Sequence, residues 1–148
     1  MHSFLYVLVL QSCAAPVFVN INGSSVFAPL PLEIPGELES EAGCYFTTDD
    51  LRGQSYILGR NFDRSPWLGL KSGPIKLTVV REDYPQELGG PGVLEYVAPG
   101  VTVRVDLRAP KECKDPDDDC LNSEMTGVLE VRAGDASQRI RVLGSCGC

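Results

Sequence analysis

A chain of 148 residues with 43% hydrophobic side chains can bury one core of its own, which excludes a disordered protein. The formal net charge is −7, with 13 basic residues scattered among 20 acidic ones and an isoelectric point near 4.6. Phosphate backbones and anionic lipid surfaces attract clustered Lys and Arg, so the charge argues against a nucleic-acid partner and disfavours electrostatic binding to anionic membranes.

The chain opens on Phe4-Leu-Tyr-Val-Leu-Val-Leu10, an apolar run placed as the core of a signal peptide, followed by Gln11-Ser-Cys-Ala-Ala15. Leu10, Gln11, Ser12 and Cys13 resemble the lipobox of bacterial lipoproteins, which implies lipidation of Cys13. Residues 1–15 are therefore read as a signal peptide with a lipobox-like end; ordinary secretion with cleavage after Ala14 or Ala15, and a first β-strand at a folded N-terminus, are the alternatives. No later run approaches the roughly 20 apolar residues that span a bilayer, so no transmembrane helix is expected.

From residue 16 to 43 the composition is that of an extended tether. Pro16, Pro29, Pro31 and Pro35, with Asn22-Gly-Ser-Ser25 between them, oppose long hydrogen-bonded elements, because Pro lacks a donor and Gly favours turns. Val17-Phe-Val-Asn-Ile21 is a short strand candidate within it.

Residues 44–148 read as a β-domain. Strands are expected at Cys44 to Thr48, Ser55 to Arg60, Trp67 to Lys71, Ile75 to Arg81, Val93 to Val97, Val101 to Arg108, Met125 to Arg132 and Gln138 to Leu143. The clearest alternation is Val101-Thr-Val-Arg-Val-Asp-Leu-Arg108, with Val101, Val103, Val105 and Leu107 on one face and polar residues on the other. Turn signals separate the runs, at Asp49-Asp-Leu-Arg-Gly53, Ser72-Gly-Pro74, Leu88-Gly-Gly-Pro-Gly92 and Ala98-Pro-Gly100. No stretch has sustained helical periodicity. About eight short strands with regular turns predict an all-β fold, an antiparallel barrel or sandwich that closes to protect its edges.

The one histidine, His2, lies inside the signal segment, which excludes Ser-His-Asp and Cys-His catalysis in the domain and histidine-ligated metal. No phosphate-binding loop or dinucleotide fingerprint occurs, and nothing singles out a carboxylate pair. The expectation is no enzyme, no cofactor and no catalytic residue.

The six cysteines bear on compartment. Cys113-Lys-Asp-Pro-Asp-Asp-Asp-Cys120 reads as a disulfide closing a short loop, stabilising by roughly 2–3 kcal/mol through restriction of the unfolded chain. Its aspartates lack the spacing of a calcium loop, so a solvated acidic loop is preferred. Cys44, Cys146 and Cys148 form a second group. A bridge from Cys44 to either Cys146 or Cys148 would tie the start of the domain to its end, and a thiolate site for Cu(I) or Zn²⁺ is the functional alternative. Among the aromatics, Phe46, Tyr56 and Trp67 are assigned to the core, whereas Phe62, Tyr84 and Tyr96 lie near loops and are the candidates for contact with a partner.

Gly36-Glu-Leu-Glu-Ser-Glu-Ala-Gly-Cys-Tyr-Phe46, Gly73-Pro-Ile-Lys-Leu77, Gly127-Val-Leu-Glu-Val131 and the closing Gly144-Ser-Cys-Gly-Cys148 resemble a group of small bacterial lipoproteins that end in Gly-x-Cys-Gly-Cys. The resemblance covers residues 36–148 and implies compartment and fold but no catalytic residue. Where those relatives carry Cys-x-Cys this chain has Ala42-Gly-Cys44, leaving one of Cys146 or Cys148 without the partner the resemblance implies. The Trp67 to Leu77 region and Gly92-Val-Leu-Glu-Tyr96 are similar to membrane-bound C-type lysozyme inhibitors, small secreted β-barrels in which a loop enters the lysozyme cleft. The expected role is a non-enzymatic envelope lipoprotein or secreted β-domain that binds or supports a protein or envelope component, in the periplasm or at the outer-membrane surface. An inhibitor of a cell-wall lytic enzyme, acting through the loops around Tyr84 and Tyr96, is the second reading, and a thiol-dependent metal carrier the third.

Overall fold

The computed structural model describes residues 5–8, 17–20, 26–30, 43–49, 56–62, 64–113, 121 and 124–147. All the described elements are strands: β1 (Leu5–Leu8), β2 (Val17–Asn20), β3 (Gly43–Thr47), β4 (Leu58–Asn61), β5 (Trp67–Leu68), β6 (Ile75–Lys76), β7 (Thr78–Asp83), β8 (Pro91–Ala98), β9 (Val101–Arg108), β10 (Met125–Ala133) and β11 (Ala136–Gly147). β1 and β2 pair with each other in a small sheet of their own. The other nine form one antiparallel sheet in the order β6-β5-β4-β3-β11-β10-β9-β8-β7, curled into a nearly closed barrel. Among the described residues no helix is long and apolar enough to cross a membrane.

Alternation builds the wall. In β9, Val101, Val103, Val105 and Leu107 are buried while Thr102, Arg104, Asp106 and Arg108 are exposed, as their period of two dictates. The register carries that phase to the neighbours, aligning Leu94 and Leu129 with Val105, and Tyr96 and Val131 with Val103. Another inward layer runs Ile75, Leu68, Leu58, Phe46 and Gly144 across β6, β5, β4, β3 and β11. Gly144 has to be glycine here, because a Cβ would sit 2.5 Å from the buried Phe46 ring. The ring fills the volume that a side chain on β11 would otherwise take.

Turns follow the residues that permit them. Pro99-Gly100 joins β8 to β9 with Gly100 at φ 73°, the left-handed conformation that Gly adopts without a Cβ clash. On the outer face, Arg81, Glu95, Arg104, Glu130 and Arg139 stand in one transverse row of alternating sign. Arg104 bonds Glu95 at 3.0 Å and Arg139 lies 3.5 Å from Glu130. Opposite charges directly across strands fix register, although salt screens such exposed pairs.

Two expectations change. Ile75 to Arg81, expected as one strand, is split at Leu77 into β6 and β7, which lie at opposite edges of the sheet. Leu77 is buried and its N–H donates to the carbonyl of Pro66, the residue next in the β5–β6 register, and beyond it the chain passes to the other edge. Residues 26–30, assigned to the tether, pack into the barrel. Val26, Phe27 and Leu30 belong to the buried set, Phe27 bridges Leu70, and the N–H groups of Ala28 and Leu30 donate to the carbonyls of Gly69 and Tyr56. The Val26 N–H donates to Gln138 Oε1 at 2.6 Å, satisfying a polar side chain that the register of β11 aligns with the inward Val131. The segment therefore covers the end of the barrel where β10 turns into β11.

Candidate functional site: the seam of the barrel

The sheet has two edges, β6 and β7, and within the described residues neither pairs with the other. Side chains bridge that gap. Arg60 lies opposite Cys44 in the register of β3 and β4, and Glu82 lies opposite the buried Leu94 in that of β7 and β8, so both point to the inner face. Arg60 Nη2 approaches Glu82 Oε1 at 2.9 Å, and Arg60 Nε lies 3.1 and 3.2 Å from the two carboxylate oxygens. This forked geometry is the strongest that an ion pair offers. Glu82 Oε2 also accepts the hydroxyls of Tyr84, at 3.1 Å, and Tyr96, at 3.0 Å. Arg60 Nη1 donates to the carbonyls of Asn61, at 2.5 Å, and Arg64, so the guanidinium holds the turn after β4 as well as the opposite edge.

Burial, and then the neighbouring Glu82 carboxylate, push the Tyr84 hydroxyl far above the ordinary tyrosine range. For Tyr96 burial again comes first, followed by Tyr84 and Glu82, with the same direction. Both tyrosines therefore stay protonated and donate to Glu82 over the physiological range. The cluster is a satisfied polar latch: a carboxylate, a guanidinium and two hydroxyls, each with partners.

Outside the latch the seam opens into a cleft of about 460 Å³ between the segment after β4 and the start of β7. Arg60, Arg64 and Lys76 line it together with Phe62, Pro66 and Val79, and among the described residues no acidic one does. Phe62 meets Tyr84 edge to face with centroids 6.2 Å apart, and the Arg60 guanidinium carbon lies 5.8 Å from the Phe62 ring centroid. Lys76 sits 5.9 Å from the Trp67 ring centroid.

The three aromatic candidates for partner contact thus converge on one region, with different roles. Phe62 is 43% exposed and lines the cleft, Tyr84 is half-buried behind it, and Tyr96 is fully buried on β8. Tyr96 cannot touch a partner, a correction that follows from its place opposite Val103 on the inner face. Gly92 to Tyr96, compared with a cleft-entering loop, is part of β8 between β7 and β9. Of the expected core aromatics Phe46 is buried, whereas Tyr56 is 48% exposed and stacks on Tyr45 with centroids 4.9 Å apart.

Cys44 and Cys146 face each other across β3 and β11 and form a disulfide with a Cα separation of 4.0 Å. This decides the partner of Cys44 and removes both sulfurs from the three-thiolate metal site. Cys113 is disulfide-bonded as well, to a residue outside those described. Cys13, Cys120, Cys148 and the acidic run from Lys114 to Asp119 lie outside the described residues. Among the described residues no group of His, Cys, Asp and Glu is arranged to hold a metal ion.

Sequence reasoning missed Arg60, Glu82, Arg64 and Lys76. A period-two count from Leu58 does place Arg60 inward, and an inward Arg in a strand demands an anion. Glu82 is harder to place, because the register shift between Val79 and Arg81 inverts the phase of β7. Compared with protein-family models, with curated proteins and with solved structures, the chain has no match.

Proposed function

We propose that the protein is a non-enzymatic binding or supporting domain of the cell envelope, exported and lipid-anchored through Cys13. The observation that carries this reading is the Cys44–Cys146 disulfide, which spans 102 residues of sequence and joins β3 to β11. Disulfides of this structural kind persist in oxidising compartments and are rare in the cytosol. The seam cleft supports a binding role, since it is a concave site with convergent charge and exposed apolar surface.

The test is mass spectrometry of the mature N-terminus after expression of the full chain in a bacterium. A diacylglyceryl adduct on Cys13 is the expected result. A free Ala15 or Pro16 at the N-terminus would replace anchoring by secretion, and an intact Met1 in the soluble cytosolic fraction would refute export.

A further inference from the structure

We infer that the seam cleft is a docking site for an extended peptide segment bearing acidic and apolar side chains, laid along the outer edge of β7. This goes beyond the export reading and does not depend on it. The occupant's charge follows from local complementarity. The chain carries −7 overall, yet the residues lining the cleft include Arg60, Arg64 and Lys76 and, among those described, no acid. Arg60 is consumed by Glu82, so the charge presented to a ligand is that of Arg64 and Lys76. A cationic spot steers anionic ligands toward the cleft, while the net charge of −7 opposes the close approach of two copies of the chain.

The apolar component follows from exposure. Phe62 is 43% exposed and Val79 37%, and both line the cleft. The Phe62 ring is already held by Tyr84 and Arg60, so a ligand finds it preorganised. The backbone supplies the third element. Within the described residues β7 pairs only with β8, so the edge at Thr78 and Val79 offers main-chain donors and acceptors to an added strand. Beyond Val79 the bulge and the Arg81–Asp83 ion pair disrupt the edge, which confines pairing to the stretch that lines the cleft. An extended ligand alternating acidic and apolar residues meets all three features at once.

The protein has one tryptophan, Trp67, beside Lys76, so its emission reports on the cleft. The probe is a blocked hexapeptide alternating Glu and Val, titrated into the full oxidised chain and followed by Trp67 emission and by calorimetry. Saturable binding is expected, weakened by at least about tenfold in an Arg64→Glu/Lys76→Glu double variant and by raising NaCl from about 50 to about 500 mM. Arg141→Glu, on exposed β11, should leave it unchanged, and far-UV circular dichroism checks that each variant is folded. Absence of heat and of any emission change at millimolar peptide would overturn the inference. So would equal binding of an uncharged control hexapeptide alternating Gln and Val, or undiminished binding to the double variant. Self-association of the protein alone that the double variant abolishes would assign the cleft to a second copy and overturn the peptide partner. None of these outcomes bears on the state of Cys13, so the failure of either reading is separately visible.

Discussion

Replacing Arg60 by Met tests whether side chains latch the barrel where the backbone does not. The substitution keeps much of the aliphatic stem and removes the only cation bonded to Glu82 among the described residues. Glu82 would then sit beside two tyrosine hydroxyls as an uncompensated charge. Removing one partner of a buried pair costs about 3–5 kcal/mol. The lower end applies, because the two side chains retain 12% and 15% exposure. A loss of about 3 kcal/mol lowers the melting temperature of a chain this size by roughly 6–12 °C. Glu82→Gln should cost less, about 2 kcal/mol, since the amide oxygen still accepts a tyrosine hydroxyl and Arg60 keeps its carbonyl partners. In the double variant Arg60→Met/Glu82→Gln the buried charge is gone, so the combined loss should fall short of the sum by about 1–2 kcal/mol. Urea unfolding at neutral pH, with an unchanged m-value, measures all three. A loss below about 1 kcal/mol for Arg60→Met, or additivity within about 0.5 kcal/mol, would refute the latch.

Three further outcomes follow from the same structure. The Cys44→Ala/Cys146→Ala variant should lose roughly 3–5 kcal/mol in urea unfolding, because the closed loop spans 102 residues. Gly144→Ala should destabilise by about 1–3 kcal/mol despite the better strand propensity of Ala, because its Cβ collides with Phe46; an unchanged unfolding midpoint would show that the ring is not seated there. Alkali should unfold the protein in a defined way. The folded state raises the proton affinity of Tyr84 and Tyr96, so their stabilisation is complete below the unfolded tyrosine value of roughly 10 and declines as pH rises above it. Unfolding monitored from about pH 9 to 12 should show stability falling by up to about 2.7 kcal/mol per pH unit above pH 10, and Tyr84→Phe should halve that slope. Tyrosinate absorbance that develops fully before unfolding would contradict the burial of these hydroxyls.

The wall of the barrel was legible in the chain because its strands are amphipathic. β9 has the expected bounds, and the strands expected at Met125 to Arg132 and Gln138 to Leu143 form β10 and β11, which pair around the turn at Gly134. The seam was not legible, for physical reasons. Splitting Ile75 to Arg81 at Leu77 depends on which edge each half joins, a non-local choice that the apolar pattern does not encode. Arg60 and Glu82 are 22 residues apart and meet only once the sheet curls. Tyr96 looked like a contact residue because Pro99 and Gly100 follow closely, but its phase with Leu94 already placed it inside. Residues 26–30 were hidden by the prolines around them, which remove donors without preventing the other N–H groups of the segment from pairing.

The account rests on a strand-built body whose first and last barrel strands are covalently joined. Disulfide mapping tests this most directly, using protein isolated without reductant from the cells that express it and alkylated before digestion. A single cross-linked peptide pair carrying Cys44 and Cys146 is the predicted result. Alkylation of both thiols in the folded protein, or a bridge from Cys44 to any other cysteine, would contradict it.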